Sequence, residues 1–170
     1  MSLYSKLEII GFFFVGVFGT LAHFAYDFFN SNFIVGLFTA TNESTFEHLK
    51  LFLYPFLIYT IIEYFILRKN YFAYIDNFIC AKTLGLITGL ISIITLFYTY
   101  IGVLGFNVDF VNILIFFIAV FLAFLVSYKA TFKIQKQDNN NLCLLIIAII
   151  VTLFIIFSIK PADIGLFKEP

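Results

Sequence analysis

Ten consecutive residues, Thr41-Asn42-Glu43-Ser44-Thr45-Phe46-Glu47-His48-Leu49-Lys50, carry two carboxylates, an imidazole, an ammonium, an amide and three hydroxyls. Histidine nitrogen beside carboxylate oxygen is a donor set for Zn²⁺, or for Mn²⁺ and Fe²⁺ where oxygen predominates. A metal held there can activate water for hydrolysis, with a spare carboxylate as general base. The same groups can titrate as a set and pass a cation or proton through a small transporter. They can also form a buried salt-bridge network in which Lys50 neutralises Glu47 or Glu43. Lys50 weighs against a metal, because a cation beside a metal site needs an anion of its own. The spacing matches no established motif such as His-Glu-x-x-His, so all three chemistries stay open.

The run is expected to open a helix. Ser44 and Glu47 have the Ser-x-x-Glu spacing of a capping box, and Thr41 or Asn42 can cap one turn earlier. Capping alone accounts for Ser44, Glu47 and Asn42, but not for the whole set. At about 100° per residue, Glu43, Glu47, Lys50 and Tyr54 share one stripe, with Ser44 and His48 on its flank. Upstream, Gly16, Thr20, His23 and Asp27 form a second stripe, small at one end and polar at the other. Lipid cannot satisfy His23 or Asp27, so this stripe should face other helices. If the two stripes meet, two histidines and three carboxylates converge. The expected ligands are His23, Asp27 and His48, and the expected catalytic carboxylates are Glu43 and Glu47. Asn42, Ser44, Lys50 and Asp109 would be binding or network residues. Asp109, beside Asn107 and Asn112, can equally be a helix cap.

These polar groups stand out because the chain around them is hydrocarbon. Of 170 residues, 62% are hydrophobic and 12% charged, with 26 Phe, and the mean hydropathy is +1.05. A soluble domain of this length could not hide that much apolar surface. A bilayer-spanning helix needs about 17–25 apolar residues. Five stretches qualify: Leu7–Phe29, His48–Leu67, Phe78–Leu104, Asp109–Tyr128 and Leu142–Ile159. The fold class is therefore all-α, a polytopic membrane bundle forming one domain over residues 1–170. Ser31–Ala40 is too short to span and reads as a re-entrant or interfacial segment. The first span is too long for a signal peptide and lacks a small-x-small cleavage site, so it reads as an uncleaved first helix.

If the spans alternate, Lys6, Arg68, Lys69, Lys82, Lys129, Lys133 and Lys136 fall on one side. Lys50, Lys160 and Lys168 fall on the other. The positive-inside rule then puts the amino terminus in the cytoplasm and the carboxyl terminus outside. Asp27, Glu43, Glu47, Asp109, Asp163 and Glu169 share the outer side, so the net charge of zero hides an acidic mouth. Such a mouth attracts cations and argues against nucleic acid as a partner.

Ala81, Gly85 and Gly89 make a flat face for close helix packing within the bundle or in a homodimer. Tyr4, Tyr64, Tyr71, Tyr74, Tyr98, Tyr100 and Tyr128 read as an interfacial belt. Cys80 and Cys143 fall near the basic, reducing side, where a disulfide is not expected, and read as small packing residues. Glu63 should pair with a base from the 68–82 region, and Pro55 should kink its span or free a carbonyl. The tail 160–167 can fold back over the outer mouth as a lid, or lie in the interface on Leu166 and Phe167. There is no Gly-rich phosphate loop, Gly-x-Ser-x-Gly elbow or Cys pair with redox spacing.

Several stretches carry a resemblance. They are Ala22-His23-Phe24-Ala25-Tyr26, Val35-Gly36-Leu37-Phe38, Asn42-Glu43-Ser44 with Glu47-His48-Leu49-Lys50, and the tail Ile164-Gly165-Leu166-Phe167-Lys168-Glu169-Pro170. The chain resembles an uncharacterised family of small bacterial integral membrane proteins, a domain of unknown function. The resemblance covers most of the chain and is most specific in its first third. Family members usually carry Trp where Phe46 stands, and often a second proline where this chain has Ala162. It implies a multi-pass protein of the bacterial cytoplasmic membrane and carries no activity.

Together these features favour an outward-facing site for a divalent metal (Zn, Mn or Fe) or another cation. In its most concrete form this is a metal-assisted hydrolase of a lipid or envelope substrate. The alternatives are a small transporter or transporter subunit for a cationic or proton-coupled solute, and an accessory membrane protein with a buried salt-bridge network. The expected partners are the lipid bilayer, a small cationic or lipid substrate and, through Ala81, Gly85 and Gly89, a second copy of the chain.

Overall fold

The computed structural model describes residues 2–70, 77–133 and 140–169; Tyr71, Tyr74 and Lys136 lie outside them. The regular elements of the described residues are all helices, without strands. The elements are α1 (Leu3–Phe28), α2 (Phe33–Gly36), α3 (Thr45–Asn70), α4 (Phe78–Leu104), α5 (Asp109–Lys133), α6 (Asn140–Ile159) and a 3₁₀ turn at Gly165–Phe167. All except α2 and the 3₁₀ turn are long and apolar enough to cross a membrane, as a multi-pass membrane protein requires. The second span begins three residues earlier than its apolar run, because the polar residues that cap it belong to the helix end.

α3 is the most buried of the spanning helices and packs between α1 and α4. Its aromatic ladder forms the centre of the core. Phe52 stacks on Phe56 at 5.2 Å, Phe56 meets Phe124 of α5 at 5.1 Å, and Tyr59 meets Phe124 at 5.9 Å. Pro55 lies inside α3 and has no N–H to donate to the Leu51 carbonyl one turn back. That carbonyl faces Gly19 of α1, where a Cβ would stand only 2.5 Å from the oxygen. Only glycine allows so close an approach. The helices run antiparallel across this seam, so His23, one turn beyond Gly19, lies against the start of α3.

The small-residue face of α4 is occupied within the chain. Gly85 packs on the Ala123 carbonyl of α5, Gly89 on the Phe52 ring, and Ala81 is fully buried. α6 is the least enclosed helix and buries only Phe154. The tail folds back: Phe167 packs on Phe46 at 4.6 Å and on Phe157 at 5.2 Å.

The segment before α3 is held by buried charges. Lys50 and Glu47 pair at 2.7 Å. The Lys50 ammonium also donates to the Gly36 carbonyl at 2.7 Å. Glu47 Oε2 accepts from the Thr41 amide at 2.8 Å and from its hydroxyl at 3.0 Å. Segment 31–40 therefore folds as a short helix strapped to α3. The capping box forms only by half: the Glu47 amide reaches Ser44 Oγ at 3.4 Å, while the Ser44 amide is taken by Asn42 Oδ1 at 2.9 Å.

Two expectations at the basic end are corrected. Cys80 and Cys143 form a disulfide, with Cα atoms 5.2 Å apart. The expectation rested on compartment alone, whereas α4 and α6 run parallel and pack with their amino-terminal ends together, which brings together two sulfurs 63 residues apart in sequence. Tyr4 does not belong to an interfacial belt. It is fully buried, hydrogen-bonded to Thr131 at 2.7 Å and stacked on Tyr128.

Two predictions follow from these contacts. Lys50→Met leaves the Glu47 carboxylate buried without its cation and should cost about 3–5 kcal/mol. The double variant with Glu47→Gln should recover most of that loss, read by circular-dichroism unfolding in detergent. Equal losses would mean that the pair is not the source. Denatured, unreduced protein treated with iodoacetamide should gain no adduct by intact mass, and two after reduction. Two adducts before reduction would show a dithiol instead.

Candidate functional site

The polar site lies where the end of α1 meets the start of α3. Asn30 and Ser31 adopt left-handed backbone conformations, φ 52° and 56°, which reverse the chain after α1. Asn32 then caps α2, accepting from the Ile34 amide at 2.9 Å. The Thr41–Glu47 and Asn42–Ser44 hydrogen bonds fix the residues on both sides of Glu43. Glu43 precedes the helix, so it does not follow the helical stripe that joins Glu47 to Lys50. Its carboxylate turns toward both histidines.

His23 Nε2 stands 3.6 Å from Glu43 Oε1, and His48 Nε2 stands 3.4 Å from Glu43 Oε2. The two imidazole centroids are 5.2 Å apart. One ligand atom from each residue lies within 4.8 Å of the others. His48 Nδ1 is 3.0 Å from the Ser44 carbonyl. A carbonyl only accepts, so this bond requires the proton on Nδ1 and leaves the Nε2 lone pair available toward Glu43. Ser44 thus serves through its backbone, orienting a histidine.

The three residues form one wall of a cavity of about 580 Å³. Asp109 and Asn112 at the start of α5 line it, together with Phe116 and, from the folded tail, Glu169. Tyr100 donates to Asn107 at 2.7 Å, and the Asn112 amide donates to Asn107 at 2.8 Å, which ties the α4–α5 connection into the rim. Asp109 therefore stands at the cavity as well as at a helix start. Glu169 was legible only as one of the outer acids, because nothing in the tail's composition says where it folds.

The remaining expected residues lie elsewhere. Asp27 lines a neighbouring cleft of about 160 Å³ with Thr41, Asn42, His23 and Glu43, but it is not one of the three residues whose ligand atoms converge. Glu47 and Lys50 face the 33–41 segment and neutralise each other. Lys50 thus has its own anion, which removes the objection it raised against a metal.

Glu63 does pair with Lys82, at 2.7 Å, and is fully buried in the bundle. Glu8 of α1, which no spacing singled out, is the third member of that group, with Lys82 3.0 Å away.

No curated protein and no solved structure matches the chain. A family model described as a family of unknown function, DUF6512, matches residues 1–170, and the chain belongs to that family.

Proposed function

We propose that the chain binds a divalent metal through His23 Nε2, His48 Nε2 and Glu43, and uses it to activate water for hydrolysis at the acidic end of the bundle. The carrying observation is the convergence of three ligand atoms within 4.8 Å on a cavity wall. Ligands about 2.0–2.2 Å from a tetrahedral metal stand about 3.4 Å from one another. The histidine–carboxylate separations of 3.4 and 3.6 Å fit that spacing, and both exceed an ordinary hydrogen bond.

Two histidines and one carboxylate leave a coordination position for water or substrate. The Glu43 side chain is 64% exposed and the histidines about half that. Ion pairs so open to water contribute little to stability. A purely structural role therefore accounts for Glu47 and Lys50 but not for the trio.

In this assignment Glu43 is a ligand and Glu47 a structural anion. Asp109 or Glu169, lining the same cavity, would serve as general base toward a water that the bound metal would activate. Phe116 and Phe97 beside these acids suit a substrate with both an apolar and a polar part, such as a lipid or envelope ester at the membrane surface. A transport path toward Glu63 would have to cross the packed layer of Phe52, Phe56, Tyr59 and Phe124. That layer favours a site served from one end.

Metal content of purified, metal-supplemented protein, measured by inductively coupled plasma mass spectrometry, tests the proposal. Near-stoichiometric Zn, Mn or Fe is expected in the wild type. His48→Ala and Glu43→Ala should weaken binding beyond the ~10–100-fold typical of losing a group that only orients a ligand. Asp27→Asn should retain the metal. No metal in the wild type, or equal content in all four proteins, would overturn the assignment.

A further inference from the structure

At the opposite end of the bundle, Glu8, Glu63 and Lys82 bury three ionisable groups together, with exposures of 5%, 0% and 1%. Lys82 Nζ contacts Glu8 Oε2 at 3.0 Å and Glu63 Oε2 at 2.7 Å. Ser127 donates to Glu8 Oε1 at 3.2 Å. Glu63 Oε1 has no hydrogen-bond partner among the described residues. The Tyr4 and Tyr59 hydroxyls nearby are bonded to Thr131 and to the Leu7 carbonyl, and tyrosine is neutral near pH 7. Among the described residues two carboxylates thus share one ammonium, and the group is one positive charge short of balance. In a low-dielectric interior that deficit is costly unless a cation or proton fills it.

The cluster also has an opening. A cavity of about 360 Å³ between α1 and α5 has Glu8 in its lining. Its walls are Phe12, Phe121 and Leu125, and its remaining polar edges are Ser5 and Tyr128. It opens where Ile9 and Phe121 are exposed, on the flank of the bundle that meets lipid. Glu8 lies five residues into α1, about 8 Å along its axis, so a headgroup near the membrane surface can reach it. The volume is at the lower end of small-molecule sites, roughly 300–1,000 Å³, and suits one alkyl chain.

We infer that this groove is a binding site for a single-chain amphipath with a cationic ammonium head, whose charge completes the Glu8–Lys82–Glu63 group while its chain lies along α1 and α5. Ammonium is favoured over a neutral or anionic head because the groove is lined by the Glu8 carboxylate, with the excess negative charge of the Glu8–Lys82–Glu63 group beside it. This site shares no residue with the His23–Glu43–His48 group and does not depend on it.

Dodecylammonium and dodecanol test the inference as a matched pair, with the protein in zwitterionic nanodiscs and empty nanodiscs as the blank. Bound stoichiometry is read by native mass spectrometry. The ammonium should bind one per chain, at least about 10-fold tighter than the alcohol. Glu8→Gln should abolish that preference. Leu125→Trp fills the groove while leaving every charge in place, and should weaken the ammonium by a similar factor. Metal content should be unchanged in both variants, which separates this site from the acidic end. If a proton alone satisfies the cluster, ammonium and alcohol will bind alike and the inference fails. It fails equally if neither probe binds, or if Leu125→Trp binds the ammonium as the wild type does.

Discussion

α1 and α3 meet at a point where no side chain intervenes, and the arrangement of both charged groups depends on that contact. Pro55 removes one donor from α3 and leaves the Leu51 carbonyl without its helical partner. Gly19 is the only kind of residue that lets α1 approach that oxygen. Once the antiparallel pair is in register there, His23 lies beside His48 at one end and Glu8 beside Glu63 at the other. A side chain at Gly19 would push the helices apart and separate the members of both groups.

A membrane interior has no water to satisfy polar groups, so each charge must find a partner or face an opening. The chain uses both solutions. Glu47 and Lys50 are closed: each is buried, each satisfies the other, and both hold the 33–41 segment through Gly36 and Thr41. His23, Glu43 and His48 are open: they border a cavity, stand slightly beyond hydrogen-bonding distance, and do little to hold the fold. The Glu8–Lys82–Glu63 group falls between the two, enclosed by protein but short of one positive charge and bordered by a groove. This contrast separates charges that hold the fold from charges left open to a cavity better than residue type does.

Much of the site was legible because polar residues are rare here. His23, Glu43 and His48 stood out against hydrocarbon, and lipid's inability to satisfy His23 and Asp27 pointed their stripe toward other helices, though only His23 of the two joins the cluster. Glu47 was harder. Helical periodicity grouped it with Glu43, but the helix begins at Thr45, so Glu43 escapes the periodic stripe. Lys82 was identified as a partner region for Glu63, yet Glu8 was missed because contacts between residues 8, 63 and 82 leave no trace in local spacing. The Cys80–Cys143 bond was judged from compartment alone, which says nothing about helix pairing.

Composition and hydropathy by themselves determined the class: five apolar helices, a bundle, charges concentrated at its ends. They could do so because the cost of exposing backbone and charge to lipid acts on each segment separately. Which charges meet was decided only by the tertiary structure. Pairing depends on helix register, on the close approach at Gly19 and on where the tail places Glu169, and these are contacts between residues far apart in the chain.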